Sequence, residues 1–144
     1  MNAVEIPVVP LPARVRTFLA EVHYATIATT DPDGSPRQAV IWYRLEGDEL
    51  VVNSRVGRRW PTNLLRDGRV SLAVIDSADG LRWVGLSGVV EPVTDRGTAQ
   101  ADIAAMARRY NDDPEDIAGL IRRFQSMERI SFRIRVTAIH DHLD

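Results

Sequence analysis

The 144-residue chain contains no cysteine. That absence removes disulfides, thiolate nucleophiles, zinc ribbons and iron–sulfur clusters together, because each depends on a thiolate or on sulfur ligands. Lysine is missing as well, since all 18 basic residues are arginine. A Schiff base with pyridoxal phosphate needs a lysine amine, and a phosphate-binding P-loop needs its lysine, so both are excluded. Any anion must then be held by guanidinium or backbone N–H groups. No apolar run approaches the ~20 residues of a membrane-spanning helix. The formal net charge is −2, so the overall balance points neither to nucleic acid nor to an acidic membrane surface. The opening stretch from Met1 to Pro10 carries Glu5 and lacks a basic start, which is the wrong make-up for a signal peptide, and a cytoplasmic location is the expectation.

What is present reads as an ordinary folded protein: 44% hydrophobic and 26% charged residues, a mixture that buries a core. One domain over residues 1–144 is expected. Pro12 to Val22 predicts a first helix. Tyr24–Thr30 and Arg37–Leu45 predict two strands of a hairpin, separated by the turn Asp31-Pro-Asp-Gly34. A second tight turn, Glu46-Gly-Asp48, leads into a strand over Glu49–Ser54. Arg58 to Arg66 is read as a helix, Arg69–Ile75 as a strand, and Leu81–Val93 as a long strand whose Gly85 and Gly88 mark a bulge or a close backbone approach. Thr94 or Asp95 caps a helix to Tyr110, Asp113-Pro114 opens another ending near Phe124, and Arg129–Ile139 alternates as a last strand. Hairpin succession, without βαβ alternation, predicts an antiparallel sheet curled into a barrel with helices closing its ends.

The densest chemistry lies in Asn53-Ser-Arg-Val-Gly-Arg-Arg-Trp-Pro-Thr-Asn63, where a strand turns through glycine into a helix. The first N–H groups of a helix lack intrahelical partners and its dipole favours an anion there. Arg55, Arg58 and Arg59 cluster around that corner, with Asn53, Ser54 and Thr62 as neutral hydrogen-bonding groups. The alternative is a solvated basic helix start. Trp42, on the face shared with Gln38 and Val40, offers a flat wall that Trp60 and Trp83 are able to cover or flank. Taken singly, each tryptophan reads as core or interface packing; their coincidence with the arginines raises the ligand reading. Tyr43 and Arg44, at the end of the same strand, are candidates for polarising a carbonyl. His140-Asp-His142 lacks a third metal ligand and reads as a surface tail.

The ordered segments Gly34-Ser-Pro-Arg-Gln-Ala-Val-Ile-Trp-Tyr43, Leu50-Val-Val-Asn-Ser54, Gly57-Arg-Arg-Trp-Pro-Thr-Asn-Leu64 and Arg66-Asp-Gly-Arg69 resemble the pyridoxamine 5′-phosphate oxidase-like superfamily, and within it the coenzyme F420-dependent oxidoreductase branch. The resemblance runs from about Arg14 to Ile139. It implies a mainly β fold with inserted helices, the FMN-binding antiparallel split β-barrel, as a homodimer with two cofactor sites at the subunit interface. It further implies Gln38, Val40 and Trp42 near the cofactor ring, Asn53 and Ser54 at its edge or side chain, and Arg58 and Arg59 on its phosphate with Arg55 beside them. Trp60 and Asn63 belong to the same phosphate segment, and Trp83 is expected from the partner subunit. Family members often carry lysine in that segment; here Arg59 is followed by Trp60, which narrows the site.

Three functions follow from the resemblance. The first is an F420H2-dependent reductase passing hydride to a small conjugated acceptor such as a quinone, an enone or a tetrapyrrole. The second is an FMN-dependent oxidoreductase on the same fold. The third is a non-catalytic binder of flavin, F420 or a tetrapyrrole. No metal, nucleic acid or membrane partner is expected, and no general acid stands out.

Overall fold

The computed structural model describes residues 7–144. The opening stretch weighed above as a leader falls for the most part outside them. Helix α1 (Ala13–Ala20) precedes strands β1 (Tyr24–Thr30), β2 (Pro36–Ile41), β3 (Arg44–Glu46) and β4 (Glu49–Arg55). Helix α2 (Arg59–Arg66) follows, then β5 (Arg69–Ile75), β6 (Trp83–Val93), α3 (Arg96–Tyr110), α4 (Pro114–Gln125) and β7 (Arg129–His142).

The seven strands form one sheet in the order β2-β1-β5-β6-β7-β4-β3, and every neighbouring pair is antiparallel. The outermost strands β2 and β3 are joined by Trp42 and Tyr43 alone. Two residues reach roughly 10 Å at full extension, so the sheet must curl until its two edges meet. Closure runs through the covalent chain and not through a hydrogen-bonded ladder, which makes this a split barrel. Its interior is filled by alternate residues of the strands, among them Ile27, Leu50, Leu72, Leu86, Phe132 and Ile134, each at most 2% exposed. Phe18 and Leu19 of α1 and Trp60 and Leu64 of α2 join the same core.

Local chemistry explains the turns. Gly34 and Gly47 adopt φ of 88° and 61°, left-handed backbone that glycine takes without steric cost. Asp33 accepts the Ser35 N–H at 2.9 Å. Asp95 caps α3 by accepting the Thr98 N–H, and Asp113 caps α4 by accepting the Glu115 N–H. At Gly88 the register between β6 and β7 shifts, and a Cβ there would lie 2.4 Å from the Arg135 carbonyl oxygen. The close approach expected from the sequence is therefore real.

Two expectations need correction. The predicted strand Arg37–Leu45 is broken at Trp42–Tyr43, because the chain leaves one edge of the sheet for the other at that point. Tyr43 turns inward, fully buried, and its hydroxyl donates to the Leu19 carbonyl at 2.9 Å. Its N–H donates to the Tyr110 hydroxyl at 3.2 Å in place of a ladder partner. The expected C-terminal tail is instead the end of β7. Trp83, Val84 and Gly85 pair with His142, Asp141 and His140, and the Trp83 ring stacks on His142 at 4.1 Å.

The first half of β7 is buried on both faces, since α3 lies across the outer side of β4 and β7. Val51, Ile103 and Met106 form a second small core there, against which Trp42 and Phe124 pack.

Candidate functional site

Strand β3 pairs with Glu49–Val51, so among the described residues Val52–Arg55 of β4 has no strand neighbour on its other edge. Among the described residues strand β2 pairs only with β1. A cleft of about 440 Å³ lies where these two free edges face each other, lined by Val40 and Trp42 on one side and Asn53 and Ser54 on the other. Arg58, just before helix α2, and Trp60 in its first turn also line it, as do Phe124 at the end of α4, Met127 in the connection and Arg129 at the start of β7. Free strand edges carry backbone donors and acceptors in a row, the groups that recognise the rim of a flat heterocycle.

One end of the cleft is aromatic. Trp42 stacks on Tyr110 with centroids 5.0 Å apart and meets Phe124 edge-on at 6.4 Å. Tyr24, 55% exposed at the mouth, sits 5.6 Å from Tyr110 and continues the series. Such rings present large apolar faces with defined edge polarity.

The other end is cationic. Gly57, at φ 96°, turns the chain from β4 into α2. Arg58 is the N-cap of that helix, its side chain makes no capping bond, and the first turn holds no acidic residue. Pro61 is tolerated in this turn because the opening N–H groups lack helical partners in any case. Arg129 lies close by, 9% exposed, with its guanidinium carbon over the Phe124 ring, 4.8 Å from the centroid. Burial, then the charges of Arg58 and Arg55, pull Arg129 down to about 10. It remains a cation at neutral pH.

Of the residues singled out from sequence, Val40, Trp42, Asn53, Ser54, Arg58 and Trp60 line this one cleft. Trp60 is mostly buried, packing on Phe132 at 6.1 Å. Asn53 is held from several sides: its amide donates to the Ala99 carbonyl and to Ser131 Oγ, each at 2.9 Å, while its oxygen accepts from Arg129 Nε at 2.9 Å. Gln38, Arg55, Arg59, Asn63 and Trp83 do not line the cleft. Gln38 is exposed on β2, and Arg55 is exposed at the end of β4. Trp83 lies on the far strand β6.

Arg58 and Arg59, adjacent in sequence, diverge. Arg59 and Asn63 line a second depression of about 560 Å³ with Asp31, Arg37 and Arg66. There Asp31 accepts from Arg37 at 2.5 Å and from Asn63 at 3.0 Å, and lies 3.9 Å from Arg59. Those hydrogen bonds hold the Asp31 carboxyl below its ordinary range. Tyr43 and Arg44 also leave the cleft. Burial pushes the Tyr43 phenol up, and Arg44 is paired with Asp102 at 2.7 Å and Glu46 at 3.1 Å.

Sequence reasoning missed Arg129, Phe124 and Tyr24. Arg129 opens a regular strand, and nothing local distinguishes it; only the pairing of β7 with β4 sets it opposite Arg55. Tyr24 likewise looks like any aromatic at the start of a strand.

An antiparallel sheet closed through a two-residue crossing, with a ligand-sized cleft at the split, defines the split-barrel class of small-molecule-binding proteins. Within that class the chain belongs to the pyridoxamine 5′-phosphate oxidase family, whose sequence profile matches residues 11–141. This is a flavin/F420-type, oxidoreductase-like family. Among solved structures, an F420 reductase is 25% identical, with 90% of this chain and 98% of that one covered and a TM-score of 0.72. A conserved hypothetical protein from Mycobacterium tuberculosis is 24% identical over 98% of this chain and 91% of its own, at a TM-score of 0.74. The haem storage protein of Vibrio cholerae is 21% identical over 92% and 95%, at 0.69. No curated protein matches the chain. Among the described residues, no helix is long and apolar enough to cross a membrane.

Proposed function

We propose that the chain is an F420H2-dependent reductase acting on a small conjugated acceptor such as a quinone, an enone or a tetrapyrrole. One observation carries this reading: the cleft at the split joins an aromatic end, Trp42 and Phe124, to an arginine end, Arg58 and Arg129, whose guanidinium groups meet no carboxylate among the described residues. A flat conjugated ring with an anionic tail needs both ends at once. Similarity to an F420 reductase over nearly the full length of both chains supports the choice of deazaflavin over FMN.

In this reading the exposed face of Val40 and the indole of Trp42 seat the ring, with Gln38 further along the same strand. The free edge at Asn53 and Ser54 meets its polar rim. Arg58, assisted by Arg55 and the N-terminal N–H groups of α2, holds the phosphate, with Arg59, Trp60 and Asn63 shaping that corner. The chemistry supplied by the bound cofactor is hydride transfer, while the protein provides orientation, charge and exclusion of water.

The site is completed by a second copy of the chain. Val40 is 74% exposed, Tyr24 55% and Ile75 43%, on one outer face of β2, β1 and β5. Val40 and Tyr24 also line the cleft, so a subunit seated on that face covers its mouth and brings its own Trp83 towards it. Light scattering should give twice the chain's 16.1 kDa.

FMN in the same cleft is the second cofactor reading, and a non-catalytic flavin, F420 or tetrapyrrole carrier is the other function. The likeness to the haem storage protein is the observation that favours a carrier. Steady oxidation of F420H2 in the presence of a quinone or tetrapyrrole acceptor is the expected result. Binding without turnover marks a carrier, and a yellow protein with tightly held FMN marks the flavin enzyme.

A further inference from the structure

Arg129 opens β7 directly opposite Arg55 on β4, and like charges facing one another across a strand pair repel. The side-chain hydrogen bonds of Arg129 run to neutral acceptors, Asn53 Oδ1 at 2.9 Å and the Met127 sulfur at 3.7 Å. Among the described residues no carboxylate pairs with it, whereas Arg44 meets Asp102 at 2.7 Å and Arg133 meets Glu49 at 3.2 Å. A cation so deeply placed is unfavourable unless an anion joins it.

The surroundings nonetheless hold Arg129 firmly. Ser131 Oγ donates to Asp102 at 2.7 Å and accepts the Asn53 amide at 2.9 Å, which fixes the Asn53 oxygen towards Arg129. The Phe124 ring lies beneath its guanidinium carbon. The other N–H groups of Arg129 make no further hydrogen bond among the described residues, and Arg129 lines the cleft together with Arg58. Two guanidinium groups lining one cleft, Arg58 and the buried, braced Arg129, with Arg55 opposite on the neighbouring strand and no ion pair to any of the three among the described residues, make a receptor for an oxyanion.

We infer that Arg129, with Arg58 and Arg55 beside it, forms a subsite for an oxyanion, a phosphate or a carboxylate, at the arginine end of the cleft. Its existence stands on these contacts; only the source of the oxyanion rests on the reading of the cleft as a cofactor site. That source is either the cofactor's own phosphate or an acidic group on a second ligand.

The test uses inorganic phosphate as the probe, with ionic strength held constant by chloride, and compares melting of the wild type, Arg129→Gln and Arg129→Lys. Wild type should melt a few degrees higher with phosphate, because a ligand bound only to the folded state stabilises it. Arg129→Gln should lose that rise while keeping its near-ultraviolet spectrum, since glutamine still reaches Asn53 and the uncompensated charge is gone. Should the glutamine variant fail to fold, Arg129→Lys decides, with a reduced rise expected because an ammonium lacks the fork geometry. No rise in wild type, a full rise in a folded glutamine variant, or a full rise in the lysine variant overturns the subsite.

Quenching of F420 fluorescence then separates the sources. A loss of affinity in Arg129→Gln of roughly 10- to 100-fold, as for a hydrogen bond to a charged group, without change for the phosphate-free headgroup assigns the oxyanion to the cofactor. Unchanged F420 affinity with the phosphate response lost assigns it to a second, acidic ligand. A flat F420 titration beside an intact phosphate response sinks the cofactor reading and leaves the subsite standing.

Discussion

The rings of Trp42 and Tyr110 stack with centroids 5.0 Å apart and planes 7° apart. Tyr110 ends α3 and Trp42 sits in the two-residue crossing from one sheet edge to the other, so this contact fastens the helix to the seam of the barrel. The Tyr110 hydroxyl completes the fastening, donating to the His23 carbonyl at 2.5 Å and accepting the Tyr43 N–H at 3.2 Å. Tyr110→Phe keeps the stack but strands both groups. It should lower stability by about 1–3 kcal/mol, read from urea unfolding followed by tryptophan fluorescence. A change near zero would mean that water replaces the hydroxyl without loss.

Divergence of two neighbouring arginines gives the sharpest test of the cleft. Arg58→Ala should weaken F420 binding by about 1–3 kcal/mol, the range for a truncated charge-assisted contact. Arg59→Ala, whose guanidinium faces Asp31 in another depression, should weaken it by less. Fluorescence titrations of the two variants check the order, and the reverse order would move the phosphate out of the cleft.

Gly88 is required for its lack of a side chain. Since a Cβ would stand 2.4 Å from the Arg135 carbonyl oxygen, Gly88→Ala must displace β6 from β7. The expected cost is about 1–3 kcal/mol or more, as for other overpacked sites. Gly80→Ala, with open space around its Cβ, is the matched control and should melt near wild type.

Asp31 gives the pH dependence a definite sign. Hydrogen bonds from Arg37 and then Asn63 depress its folded-state pKa. Its contribution is therefore complete above the unfolded carboxylate value of about 4 and lost as pH falls through the lower folded value. Asp31→Asn should melt below wild type at pH 7, with the gap narrowing towards pH 3. A gap of constant size across that range would remove the ionic contribution.

Much of the architecture was legible because it is written in local signals. Asp33 and Gly34 make the first hairpin turn, Asp95 and Asp113 cap their helices, and alternating residues such as Ile130, Phe132 and Ile134 mark a strand with an inward face. The crossing at Trp42–Tyr43 was hidden because both residues continue the period-two pattern of β2; what breaks the strand is a helix end almost seventy positions away, at Tyr110. The residues lining the candidate cleft were legible by half for the same reason. Arg58 and Trp42 announce themselves by residue type at a strand-to-helix corner and on a strand face. Arg129 owes its place to the register between β4 and β7, and among the described residues no acid from elements distant in sequence reaches it.

The most direct measurement is a titration of the purified protein with F420, followed by quenching of its fluorescence, alongside Trp42→Ala and Arg58→Ala and with FMN as the parallel ligand. Saturation in the micromolar range is expected for the wild type, with weaker binding in both variants, because the stacking wall and the phosphate grip are removed in turn. Flat titrations with F420 and FMN alike, or affinity untouched by either substitution, would contradict a cofactor held between the aromatic and arginine ends of the split.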